Sequence, residues 1–76
     1  MIRAIKPVPY FEGEHIVEFM GEKAYDRSTF VQDEVLPWCL ENVGPPVCGT
    51  KYRTFMGESM IFKDAVDADL CYLRFA

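Results

Sequence analysis

The Gly44-Pro45-Pro46 segment near the middle of the chain constrains the fold more than any other feature. Proline has no backbone N–H and cannot continue a helix or a central strand, whereas glycine takes the left-handed conformation that often follows a helix end. The segment therefore predicts a helix that ends at Val43. Because Pro37 suits only a first turn, we expect that helix to begin near Asp33 or Glu34.

Two helices are predicted from apolar spacing and capping residues. Apolar residues recur three and four positions apart up to Val43, and Ser28 and Thr29 ahead of them are N-cap residue types. The second helix is expected from Asp64 to Leu73, with Asp64 as its cap and Asp67 completing a carboxylate version of the capping box. Its apolar residues Val66, Leu70 and Leu73 share one face, with Ala65, Ala68 and Tyr72 alongside.

Four segments resemble strands. Met1–Val8 alternates imperfectly and is closed by prolines, as at a sheet edge, and Glu14–Met20 fits a short strand or a short helix, of which we favour the strand. Val47–Met56 and Ser59–Lys63 form a predicted hairpin joined at Gly57 and Glu58. The fold expected over residues 1–76 is one compact α+β domain, in which a small antiparallel sheet of three or four strands packs against two helices.

The net charge of −4 and the sequence pI near 4.8 argue against binding to a nucleic acid polymer, because such proteins carry a basic excess. Half of the residues are hydrophobic, which favours a folded domain. A chain of 76 residues has a small core, and so we expect a homo-oligomer, most simply a two-fold dimer.

The expected location is the cytosol, with no membrane association, since the N-terminal MIRAIKPVPYFEGEH is unlike a signal peptide and no apolar run approaches a membrane span. Thiols stay reduced there, so Cys39, Cys48 and Cys71 are predicted to be buried small hydrophobes. Together with His15 they have the residue types of a zinc site, but structural zinc ligands come in close pairs and these do not. No metal and no cofactor is expected.

The segment FKDAVDADLCYLRFA resembles the end of many small tailed-bacteriophage proteins of unassigned function, with Phe62, Asp67, Ala68, Leu73, Arg74 and Phe75 as its counterparts. Those proteins carry a Trp-Cys or Trp-Leu pair upstream, in a helix that ends Glu-Asn-x-Gly. The counterparts here are Trp38, Cys39, Glu41, Asn42 and Gly44. The resemblance implies a phage origin and, by association, a protein that disables a host factor or sequesters a host immune signal.

A ligand site is predicted from aromatic and basic residues, which stack on bases and bind phosphates. Its members are Tyr25, Arg27, Lys51, Tyr52 and Arg53. The competing interpretation is ordinary sheet patterning, with Lys51 and Arg53 towards solvent and Tyr52 in the core. Trp38 is equally compatible with a core anchor and with an interface residue.

No nucleophile with an adjacent base and no phosphate-binding loop is evident, so the sequence favours a non-enzymatic binding protein. Two versions remain open: a homo-oligomer that sequesters a small nucleotide, towards which the expectation leans, and an inhibitor that binds a host protein directly. A small enzyme or a structural virion component is the alternative.

Overall fold

The computed structural model describes residues 2–45 and 51–76, which form an antiparallel sheet with helices packed on one face. In this part of the chain the sheet has five strands, β1 (Arg3–Ala4), β2 (Val8–Pro9), β3 (His15–Met20), β4 (Tyr52–Phe55) and β5 (Ser59–Phe62). The predicted α+β class is confirmed. The strand count exceeds the expected three or four because the first predicted strand is interrupted.

That interruption is a β-bulge at Pro7. β1 and β2 both pair with the same edge of β3, but their registers differ by one residue, so Lys6 and Pro7 together stand opposite Val17. A bulge on an edge strand suits proline, which has no N–H to donate to the ladder. The predicted strand Met1–Val8 is therefore two short strands.

The sheet order β1-β3-β5-β4 places β3 and β5 in the centre, with β2 beside β1 on the edge of β3. This confirms the strand predicted over Glu14–Met20. Side chains of β3 alternate, and Val17 and Phe19 enter the core shared with the helices. Met60 and Phe62 of β5 enter the same core.

The β2–β3 and β4–β5 connections use the same four-residue turn, with the sequences FEGE at Phe11–Glu14 and FMGE at Phe55–Glu58. The second and third residues have positive φ in both, at 49° and 82° in the first turn and 55° and 72° in the second. Each glutamate N–H donates to the phenylalanine carbonyl, at 3.0 and 3.2 Å. Two consecutive positive φ values are typical of the type I′ hairpin turn. The predicted turn at Gly57 and Glu58 is thus centred one residue earlier, while the predicted strand start at Val47 lies outside the described residues.

The first helix begins at Ala24, well before the predicted start near Asp33. It consists of α1 (Ala24–Phe30), a π-helical segment (Val31–Val35) and α2 (Leu36–Asn42). The prediction was wrong because Pro37 is accommodated: Leu36 donates to the carbonyl of Val31, five residues back, and Pro37 lies in the first turn after this wider segment.

The predicted caps differ in outcome at the two ends of that helix. Ser28 and Thr29 are not caps, since they lie inside α1, and Lys23 occupies the N-cap position without a side-chain hydrogen bond. At the other end the prediction is confirmed. Gly44 has φ 110° and donates to the carbonyl of Cys39 at 3.1 Å, which closes the last turn.

The second helix, α3 (Ala65–Phe75), packs on β1, β3 and β5. Asp64 is at its N-cap position, but its side chain makes no cap hydrogen bond, so the predicted capping box is not formed. The buried side of α3 carries Ala68, Cys71 and Phe75. The more conspicuous apolar residues Val66, Leu70 and Leu73 lie on the opposite, exposed side.

Candidate binding surface

The sheet has one face towards the helices and one face without a described helix on it, which we call the open face. Alternation along the strands assigns Ile16, Glu18 and Met20 of β3 to the open face. Their cross-strand partners lie on the same face, which adds Val8 and Ile61 as partners of Ile16. Arg3, the partner of Met20, and Ser59, the partner of Glu18, are its polar additions. The open face of this sheet is nonetheless largely apolar.

Several of its apolar side chains are exposed to solvent. Ile16 and Ile61 are buried cross-strand partners on this face, and they lie outside the main core cluster. Around them, a row of large apolar side chains is exposed. Its members are Ile5, Val8, Tyr10, Met20 and Phe55.

Two contacts join the hairpins across the open face. The rings of Tyr10 and Phe55 have centroids 5.8 Å apart in a tilted arrangement. Arg53 of β4 donates to both carboxylate oxygens of Glu14, at 2.9 and 3.1 Å. Since β5 lies between β4 and β3, this ion pair spans the strand from which Ile61 projects. The β2–β3 hairpin is thereby tied to the β4–β5 hairpin.

The predicted ligand residues do not converge on one pocket. Arg53 is on the open face with Glu14, whereas Arg27 binds Glu58 and the carbonyl of Gly21, beside the β4–β5 turn. Tyr25 is strongly exposed on α1. Each of the two arginines thus already has a carboxylate partner.

The other predicted residues have structural surroundings. Tyr52 is buried in the core with its ring 6.0 Å from that of Phe62, and burial followed by the nearby Cys39 raises its pKa above the usual 10.0. The exposed Lys51 donates from Nζ to the carbonyl of Val43 at 3.4 Å. This is the sheet patterning that competes with a ligand site.

Trp38 is half-buried and packs against the core rather than standing apart from it. Its ring meets the edge of Phe75 at a centroid distance of 5.8 Å, and Phe19 and Phe30 also contact Phe75 at 6.3 and 5.5 Å. Trp38 is therefore part of an aromatic cluster centred on Phe75.

Two cysteines face each other inside the core. Cys39 and Cys71 are free and fully buried, and the pKa of Cys71 is raised first by its hydrogen bond with Cys39 and then by burial. A nucleophilic thiol needs the opposite, an accessible sulfur with a lowered pKa. Cys48 lies outside the described residues, and among the residues described no cluster of three metal-ligating side chains occurs.

Three cavities of the described residues border the helices, and their chemistry differs. One of about 540 Å³ lies between β3 and the start of α1, where Glu22 and Asp26 line it. Another, of about 320 Å³, is lined by Leu36, Pro37 and Leu40 of α2 together with Tyr52 and Gln32. Neither of these two has a basic side chain in its lining, which a phosphate group would require. The third, of about 290 Å³ between β1 and the end of α3, is lined by Arg3 and Lys6 together with Tyr72.

Comparison with protein-family models, with curated proteins and with solved structures finds no match to this chain. Among the described residues, no helix has the length and apolar character needed to cross a membrane. The sequence contained one usable signal for the candidate binding surface, the repeated Phe-x-Gly-Glu turn, whose two glutamates are the partners of Arg53 and Arg27.

Proposed function

We propose that this chain is a non-catalytic binding protein that engages another protein through the open face of its sheet. The observation that carries the proposal is the row of exposed apolar side chains on a face that no described helix covers. Exposed apolar groups that lie together mark interaction sites, and aromatic residues and methionine are the types enriched there.

The rim of the open face defines the chemistry of the partner. Arg53 is neutralised by Glu14, whereas Glu12 and Glu18 are exposed and form no salt bridge among the described residues. Arg3, the partner of Met20, is an exposed cation at one end of the same face. The partner surface that fits is an apolar patch with basic groups opposite Glu12 and Glu18, and the chain's net charge of −4 favours its approach to such a surface. The resemblance to tailed-bacteriophage proteins makes a protein of the bacterial host the proposed partner.

The geometry supports protein binding better than sequestration of a nucleotide by the predicted ligand residues. A nucleotide site needs basic groups that converge and are free to bind phosphate, but Arg27 and Arg53 are paired with different carboxylates. The cavity that does bring basic groups together, Arg3 and Lys6, contains none of the predicted ligand residues. Non-catalytic action is supported by the two described thiols, which are buried together instead of exposed beside a base.

The test is recovery of the tagged protein from a lysate of bacterial host cells with variants matched in exposure. Met20 on the open face and Leu40 on α2 are both 56% exposed, so Met20→Lys and Leu40→Lys place the same charge on different surfaces. We expect a stoichiometric host protein with the wild type and with Leu40→Lys, and its loss with Met20→Lys.

Two results would contradict the proposal. Equal recovery of the partner with all three proteins would show that the open face is not the binding surface. Release of an intact nucleotide from the denatured wild type, without a stoichiometric protein, would replace protein binding with nucleotide sequestration.

A further inference from the structure

The exposed side of α3 carries an apolar stripe of Val66, Leu70 and Leu73, with exposed fractions of 68%, 47% and 70%. At 3.6 residues per turn the three side chains lie on one line along the helix. Ala68, Cys71 and Phe75 are buried on the other side of the helix, so the stripe points away from the sheet. It is separate from the open face, on the opposite layer of the molecule.

Charges are arranged asymmetrically around this stripe. Asp67 and Arg74 are seven residues apart, two turns along the helix, and both lie on the same flank of the stripe. The other flank has Asp69 together with the small residues Ala65 and Ala76. Within the described residues neither Asp67 nor Arg74 forms a salt bridge. The guanidinium of Arg74 lies over the ring of Phe75, 5.1 Å from its centroid, and would leave that ring to reach Asp67 of the other copy.

This arrangement is self-complementary for antiparallel pairing of two helices. In a two-fold antiparallel pair the same flank of each helix meets, and residues equally distant from the axis lie opposite each other. If the two-fold axis passes at Leu70, Asp67 lies three residues before the axis and Arg74 lies four residues after it. Asp67 of each copy therefore stands beside Arg74 of the other, and this pair occurs twice.

We propose that the α3 stripe is a homodimer interface, in which two copies pack α3 antiparallel about a two-fold axis at Leu70. The apolar stripe supplies the burial, and the two Asp67 to Arg74 pairs specify the antiparallel orientation. The two Asp69 side chains meet on the other flank and oppose association. The dimer would present both open faces outwards, and it does not depend on what the open face binds.

The interface is small, since one stripe falls short of the roughly 800 Å² per partner of a standard complex. Dimerisation should therefore be visible by sedimentation equilibrium at concentrations on the order of 100 µM. Leu70→Lys should lower the association constant at least about tenfold, whereas Leu40→Lys, equally a leucine exposed on a helix, should leave it unchanged. Asp69→Asn should raise it.

Charge reversal tests the orientation itself. Asp67→Arg and Arg74→Asp should each weaken self-association by roughly threefold to tenfold, because each places like charges across the axis. Mixing these two variants should restore association as a heterodimer. Each of its two pairs then joins an arginine of one variant to an aspartate of the other. Circular dichroism of each variant below the dimerisation range shows whether the monomer remains folded.

A strict monomer up to about 1 mM would overturn the proposal. So would a mixture of Asp67→Arg and Arg74→Asp that associates no better than either variant alone, because only antiparallel pairing of these flanks predicts the rescue. The dimer proposal does not depend on the Met20→Lys experiment, because Met20 lies on the open face and not on α3.

Discussion

Arg27 on α1 donates two hydrogen bonds to one carboxylate oxygen of Glu58, from Nε at 3.0 Å and from Nη2 at 2.7 Å. Its remaining terminal nitrogen donates to the backbone carbonyl of Gly21. One guanidinium thus joins the start of the first helix, the end of β3 and the β4–β5 turn. Glu14, at the same position of the other turn, pairs with Arg53 in a more exposed setting.

Arg27→Lys should lower the free energy of unfolding by about 1 to 2 kcal/mol, because an ammonium group cannot reproduce the fork that satisfies both Glu58 and the Gly21 carbonyl. Arg53→Lys is the matched control. Its ion pair with Glu14 is more exposed, so we expect a cost below about 0.5 kcal/mol. Urea denaturation measures both, and a larger cost for Arg53→Lys would contradict the structural role of Arg27.

Met56→Asn should stabilise the protein by about 0.5 to 1 kcal/mol. Met56 has φ 55° and is 81% exposed, so its side chain contributes little burial, whereas Asn followed by Gly57 is the preferred type I′ pair. Met56→Val should destabilise by a similar amount, since a β-branched residue resists positive φ. Thermal unfolding of the two variants gives the comparison, and a shift of both in the same direction would argue against this turn geometry.

The parts of the fold that the sequence predicted depend on local signals. Gly44 ends the first helix because glycine takes positive φ freely, and the alternation of β3 follows from its apolar residues. The start of the first helix could not be predicted in this way. A π-helical turn before Pro37 allows a proline, which has no N–H to donate, to lie within the long helix. The residue types in this segment do not indicate that turn.

The candidate surfaces depend on long-range packing, which explains why the sequence did not locate them. Spacing alone makes Val66, Leu70 and Leu73 the apparent packing face of α3, yet the smaller Ala68 and Cys71 allow the helix to approach the sheet from its other side. Arg27 and Arg53 have the residue type of a phosphate site. Their pairing with Glu58 and Glu14 spans 31 and 39 residues and is set by the tertiary fold.

Alkaline pH should destabilise the protein through Cys71. The folded state raises the pKa of this thiol, so its contribution to stability is fully present below the ordinary thiol value of 9.0 and is lost as the pH rises further. Above pH 9.0 the unfolded chain releases a proton that the folded chain retains. The free energy of unfolding should then fall by up to about 1.4 kcal/mol per pH unit from this group.

Cys71→Ala provides the control for that pH dependence. The variant should lose some stability at neutral pH through the small cavity that it creates, but its curve above pH 9.0 should be flatter than that of the wild type. Tyr52, whose pKa is also raised, adds a further decline above 10.0 in both proteins. Parallel curves for wild type and variant in urea titrations from pH 7 to 10 would show that Cys71 does not contribute.

Phe75→Leu should cost about 1 to 3 kcal/mol of stability, since Phe75 contacts the rings of Phe19, Phe30 and Trp38 edge to face and leucine keeps most of the apolar volume without the ring. Tyr10→Leu removes one ring contact from a half-exposed position and should cost less than about 1 kcal/mol.

Trp38 is the chain's single tryptophan, so its fluorescence reports on the cluster directly. We expect a red-shifted emission maximum in folded Phe75→Leu, because the indole loses the ring that covers it, and no shift in Tyr10→Leu. An unchanged spectrum in both variants, or a larger stability loss in Tyr10→Leu, would show that the aromatic cluster is not centred on Phe75.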